Sequence, residues 1–310
     1  MVRPGRIAPM ATVQRADGAS TSASFTTRPL HPSLGAEVIG LDVSQPLAPS
    51  TLAALKDVWR ARHILLFRGQ TLSDAQQIAF SKNFGTLDVH IEDDKTSTRQ
   101  REILRVANVD DEGNTMDPSD PRYRYYSILT SVWHTDGSYR VVPSFASNLY
   151  ALEVPAEGGN TCFADCVAAY TALPAATKAR IAGKHMVHSY ANTRYFAREL
   201  PPLSPDQLAA LPPATHPIVR THADGRKSLY ISANVARNVG GMPVEEGEAL
   251  LRELLAFVEQ PQFVYCHQWK VGDLLMWDNR GTLHRVTPWD AGKYRRHLRR
   301  TEIKGTEIPV

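Results

Sequence analysis

Apolar positions follow two rhythms along this chain. Helical spacing marks TLAALKDVWRAR, with Ser50 as its cap. The same spacing marks SDAQQIAFSKNFG, between a Ser73 cap and a Gly85 stop. Two more helices are predicted over DCVAAYTALPAATKARIAG and EEGEALLRELLAFVEQ. Short apolar runs at AEVIGLDV, ILLFRGQ and REILRVANV read as strands. From Ser131 onward strands dominate: SVWHTDGSY, FASNLYALEV, HMVHSYA, HPIVRTH, KSLYISANV, FVYCHQW, DLLMWDN and RRHLRRTEI. Asp110 to Tyr126 is polar, rich in Asn, Asp, Pro and Gly, and reads as a long binding loop or lid. No repeat at a period of about 20–50 residues is visible, which disfavours a solenoid or propeller. Many strands with a few outer helices predict a mainly β fold, a sandwich or jelly roll with flanking helices. No linker divides it. Residues 27–310 are expected to form a single domain after a disordered leader over residues 1–26.

Composition narrows the function classes. The chain has 310 residues, 43% of them hydrophobic, enough for one large core. A net charge of +3 gives no electrostatic case for nucleic acid or a membrane surface. No apolar run approaches the ~18 residues of a membrane span. Three cysteines, Cys162, Cys166 and Cys266, argue against a disulfide scaffold. All three are expected to be packing residues in a reducing, cytoplasmic setting. The leader is rich in Ala, Ser, Thr and Arg, with one acid, Asp17. That composition overlaps a transit peptide, but no amphipathic pattern accompanies it, and a true start at Met10 is an alternative.

One motif carries metal chemistry. In a strand alternate side chains share a face, so His134 and Asp136 of W-H-T-D-G should project together, about 7 Å apart along the chain. With a distant third ligand they would make a facial triad with open positions, a set that favours iron(II). H-x-D alone is weak among 11 histidines. His222 and Asp224 form a second such pair, but Asp224-Gly225 is a hairpin-turn signal between two strands. His90 and Glu92 precede an acidic loop and read as a solvated edge. His284, in DLLMWDNRGTLHRV, is the candidate third ligand; an ordinary core histidine is the competing reading.

Basic residues crowd the C-terminus: Lys293, Arg295, Arg296, Arg299 and Arg300. If KYRRHLRRTEI is a strand, Arg296, Leu298 and Arg300 share one face and Arg295, His297 and Arg299 the other. Inward arginines need anions, and a guanidinium offers a bidentate fork to a carboxylate. Two anion anchors beside a metal are one reading. A solvated basic strand on a rim is the other. For Arg300, an internal Asp or Glu partner competes with a substrate anion.

Together these segments resemble the taurine dioxygenase / 2,4-dichlorophenoxyacetate dioxygenase (TauD/TfdA) family of Fe(II)/2-oxoglutarate enzymes. The likeness runs from about Leu34 to Ile303, through LLFRGQTLSDAQQIAFSKNFG, WHTDGSY, VPAEGGNTCFADCVAAYTALP, GRKSLYI, FVYCHQWKVGDLLMWDNRGTLHR and RRHLRRT. VRTHADGRKSLYI and GDLLMWDNR place it nearer the dichlorophenoxyacetate branch. The resemblance implies a double-stranded β-helix, the cupin-like jelly roll. It implies His134, Asp136 and His284 as metal ligands, and Arg296 with Thr161 as holders of the far carboxylate of 2-oxoglutarate. It gives Arg300 the substrate's acidic group and His90 a substrate contact. A one-residue longer gap after His284 leaves Arg295 as a rival to Arg296. The implied reaction consumes 2-oxoglutarate and O2 at Fe(II) and hydroxylates a small anionic substrate, a carboxylate or sulfonate. An aryloxyalkanoate undergoing ether cleavage is one such substrate; a taurine-like sulfonate is the alternative. From other classes, a zinc hydrolase and a non-catalytic jelly-roll binding protein stay open. Further copies of the chain are the expected protein partner, with no nucleic acid and no membrane.

Overall fold

Runs such as ILLF and LLMW are apolar at every position because their strands are buried on both faces. In the computed structural model, which describes residues 25–89, 96–97, 100–110, 113–117, 119, 127–196, 198 and 202–310, these runs lie centrally in the largest sheet. The strands are β1 (Thr26–Pro29), β2 (Ala36–Ile39), β3 (Ile64–Phe67), β4 (Thr96–Ser97), β5 (Gln100–Ala107), β6 (Ala146–Glu153), β7 (Thr161–Asp165) and β8 (His185–His188). They continue as β9 (Ala214–Pro217), β10 (Val219–Thr221), β11 (Lys227–Leu229), β12 (Ala236–Val239), β13 (Val264–His267), β14 (Leu274–Asp278), β15 (Thr282–Val286) and β16 (His297–Ile303).

Eight strands form one sheet in the order β1-β2-β3-β14-β6-β16-β5-β4. Opposite it stand two three-stranded sheets, β13-β7-β15 and β12-β8-β9, and a β10-β11 hairpin completes the set. Alternation sorts side chains into layers. On β14, Leu274 and Met276 pack outward with Trp59 and Phe80 of the helices Pro49–Arg62 and Asp74–Lys82. Leu275 and Trp277 point inward, where they meet Leu149, Phe163 and Leu298. The other face of β7 carries Cys162 and Ala164 against Leu250 and Leu254 of the helix Val244–Val258. This is a jelly roll clad with helices, as the mainly β reading and the resemblance require. Among the described residues no helix is long and apolar enough to cross a membrane.

Several local expectations need correction. Ser50 does not cap the first helix: Pro49 starts it after Ala48, with no side-chain cap. Proline suits that first position because its missing N–H has no partner to lose. Ser73 does cap the second helix, in a capping box with Gln76. The stretch read as one helix over residues 165–183 is two, Cys166–Ala172 and Ala175–Ile181, parted at Pro174. SVWHTDGSY is not a strand: only His134 bridges, to His284, and the chain then turns at Gly137, φ +66°. Cys162 and Cys266 are not separate packing residues. They sit opposite each other across β7 and β13 and are disulfide-bonded, while Cys166 is buried in the core. A sequence separation of 104 gave no sign of that register. Residues 1–24 and His90 lie outside the described residues.

Candidate metal centre and cavity

His284 is inward on β15 because its neighbour Leu283 is outward, in the helix-facing core. The antiparallel bridge then sets His134 beside it: each backbone N–H donates to the other's carbonyl, at 3.0 and 2.8 Å. The two rings lie 4.1 Å apart between centroids. Asp136 arrives through the turn rather than through strand parity. Nitrogens of both histidines and a carboxylate oxygen of Asp136 all lie within 4.8 Å of one another, and all three residues are buried. Among the described residues no other set of three His, Cys, Asp or Glu side chains does this.

The surroundings fix which atoms face the centre. His134 Nδ1 donates to the Val132 carbonyl at 2.8 Å, leaving Nε2 available to a metal. Asp136 Oδ2 accepts from Ser147 Oγ at 2.7 Å, and Asn279 in turn donates to Ser147 and lies 3.4 Å from the Asp136 amide. Trp277 Nε1 holds Asn279 at 2.9 Å. Asp136 Oδ1 faces His284 Nε2 at 3.8 Å and accepts from Arg300 at 3.0 Å. Burial by itself would raise the Asp136 carboxyl, but Arg300 and the two imidazoles overcome this and hold it well below the usual range. Burial pushes His284 down to about 3, and His134 beside it adds to that. His134 is also lowered, chiefly by burial. Two neutral imidazoles and a carboxylate are the donor set iron(II) takes, so the residues present fit that metal.

A cavity of about 600 Å³ reaches toward the triad at Arg300, which lines it and bonds Asp136. Leu104, Val106, Met116, Ile128, Val286 and Trp289 give it apolar walls, and Arg296 and Arg300 face this interior, while Arg105 lines it from the strand face shared with Arg299. Arg296 is buried, its Nε donating to the Gly159 carbonyl at 3.1 Å and its amide to Asn108 Oδ1 at 2.8 Å. Arg295 points outward, with a side chain 44% exposed and bidentate on Glu153. The parity reading of this segment therefore holds, with Arg296 just before β16 rather than in it. Thr161 is not a wall residue; it pairs with the wall residue Val286 across β7 and β15, and its hydroxyl accepts from Trp269.

Arg300 has acidic partners of its own, Asp136 and Glu302 at 3.0 and 3.3 Å. The internal acidic partner that the sequence left open for Arg300 is present: alternation puts Glu302 two residues on, on the same face. His222 and Asp224 lie in the turn of the β10-β11 hairpin as expected, bonded to Ser228 and Arg226. Sequence reasoning missed Asn108, which donates to the Ala291 and Tyr294 carbonyls and so shapes the loop before Arg296. It also missed Ser147 and Asn279, for which no spacing signal existed.

Comparisons agree with this geometry. Residues 26–301 match the family model "Taurine catabolism dioxygenase TauD, TfdA family". The chain is 38% identical over 281 residues to the alpha-ketoglutarate-dependent 2,4-dichlorophenoxyacetate dioxygenase of Cupriavidus pinatubonensis, covering 89% of this chain and 96% of that one. It is 33% identical over 270 residues to the (S)-phenoxypropionate/alpha-ketoglutarate-dioxygenase of Delftia acidovorans, covering 84% and 89%. Among solved structures, AAD-2 in complex with Mn(II) and N-oxalylglycine matches with a TM-score of 0.84 at 34% identity, over 92% of this chain and 98% of that chain. This chain belongs to the TauD/TfdA family and is a 2-oxoglutarate-dependent dioxygenase, an oxidoreductase that uses Fe(II), 2-oxoglutarate and O2.

Proposed function

We infer that the enzyme hydroxylates a small organic acid with an apolar body, and that an aryloxyalkanoate suits it best. One observation carries the reading: an apolar cavity is lined by Arg296 and Arg300, and Arg300 joins it to the triad through its bond to Asp136. Bound iron(II) and 2-oxoglutarate supply oxygen activation, with release of succinate and CO2. His134, Asp136 and His284 hold the metal. Arg296 receives the far carboxylate of 2-oxoglutarate as a bidentate fork, with the Thr161 hydroxyl proton available to the same group. Arg300 meets the substrate's acid, and the apolar walls orient its body and exclude water. His90 keeps a proposed substrate contact. Hydroxylation at a carbon bearing an ether oxygen gives a hemiacetal, which collapses to a phenol and a carbonyl acid.

Residues 27–310 act as one oxygenase domain in this proposal, supported by a sheet whose strands run from Thr26 to Ile303. A cytoplasmic setting and self-association belong to it as well. The test is a panel of aryloxyalkanoates, alkyl sulfonates and sulfate esters, scored by succinate formed. Aryloxyalkanoates should be turned over best. A clear preference for taurine or alkyl sulfonates would move the substrate to the alternative branch.

A further inference from the structure

Glu302 is a buried carboxylate that neither the triad nor the oxoglutarate contacts use. It is 4% exposed and shares the inward face of β16 with Arg300. Its Oε2 accepts from Arg300 Nη2 at 3.3 Å, and Oε1 accepts from the Ser144 hydroxyl. Arg300 gives Nη1 to Asp136 at 3.0 Å. Both ends of the guanidinium fork are therefore taken by acids of this chain. Yet Arg300 is a wall residue of the cavity, and its Nε is buried with no hydrogen-bond partner.

A substrate carboxylate brought to Arg300 meets a cation whose charge is already balanced. Asp136 is bound to remain, since it is a metal ligand. Whether the incoming anion displaces Glu302 from Nη2 or takes Nε and the remaining Nη protons, it does so against the repulsion of like charges in a desolvated site. A neutral amide or ester of the same shape meets no such repulsion. We propose that Glu302 is the internal counter-ion of Arg300 and a specificity determinant, setting how strongly this pocket prefers an acid over its neutral analogue. The inference rests on the proposed meeting of substrate acid and Arg300.

The competing role for Glu302 is structural, tying Ser144 to β16. Binding separates the two. 4-Chlorophenoxyacetate and 4-chlorophenoxyacetamide serve as probes, with calorimetric Kd and steady-state KM on wild type, E302Q and E302D. E302Q should tighten the acid about tenfold and shift the amide less than about twofold, the size of one charge contact. The gain should appear in Kd and KM together. E302D keeps the charge but draws it back by one methylene, so it should fall between. A folded E302Q in which acid and amide move together, or neither moves, overturns the proposal. If E302Q does not fold, the same acid-to-amide ratio in E302D decides. Failure of every acid to yield succinate would sink the substrate reading; succinate with an unmoved ratio would sink this inference alone.

Discussion

In the proposed assignment His134 and Asp136 each supply one of three metal donors, so replacing either with Ala should abolish iron binding and turnover. His222→Ala and Asp224→Ala should leave iron affinity intact, because their partners are Ser228 and Arg226 in a hairpin. Metal titrations of the four purified variants decide this; an essential His222 with a dispensable His134 would undo the ligand assignment. The two neighbouring arginines divide as sharply. Arg296→Ala should raise the 2-oxoglutarate requirement by roughly 2–5 kcal/mol, the range for losing one partner of a buried charge pair. Arg295→Ala should change it far less, since that side chain is outward on Glu153. Oxoglutarate titrations showing the reverse order would move the contact. At this scale the meeting of His134 with Asp136, the shared face of Arg296 and Arg300, and the hairpin were legible in the sequence. The Arg300–Glu302 pair was written there too, as two residues one strand-period apart. It was overlooked because the acid lies on the far side of Arg300 from Arg296.

Between elements, the turn after the metal motif does the positioning. Gly137 has φ +66°, and a Cβ there would come 2.9 Å from the Ser144 backbone nitrogen. His216 Nε2 donates to the Ser138 and Arg140 carbonyls, at 2.9 and 3.0 Å, and braces the same turn from behind. Gly137→Ala should therefore destabilise the protein by about 2 kcal/mol or more and weaken iron binding. Gly225 gives the control: φ +82°, with nothing within 4 Å of a new Cβ. Gly225→Ala should show only the left-handed backbone cost of ~1–2 kcal/mol, with iron affinity unchanged. Equal melting shifts and equal iron affinities in the two variants would refute the tight-turn account. The sequence offered WHTDGSY as a strand because its alternation and aromatics mimic one. Glycine and the packing of Ser144 overrode that local preference.

Across the whole molecule, acid should be the weakness. His188 is fully enclosed between Ser138, His216 and Tyr230, and burial, with His216 adding to it, drives it down to about 3 from 6.5. The unfolded chain takes up this proton below about 6.5 and the folded chain does not. Stability is therefore full above that pH and falls as pH drops through the window toward 3, by about 1.4 kcal/mol per unit for each such group. Denaturant midpoints between pH 7 and 5 should show this slope, shallower by about one proton in His188→Asn. An equal slope in that variant would place the acid sensitivity elsewhere.

Local pattern determined much of this protein. Apolar runs in ILLF and LLMW specified strands with two buried faces, and 3.6-residue spacing specified the covering helices, because both signals act over a few residues. Residue chemistry nominated His134 and Asp136, and the resemblance singled out Arg296. Only the tertiary structure decided the rest. The bridge that places His284 against His134, the pairing of Cys162 with Cys266, and the approach of Ser147 and Asn279 to Asp136 all join distant segments. Strand register sets such meetings, and register is fixed by the packing of whole sheets rather than by any window of sequence.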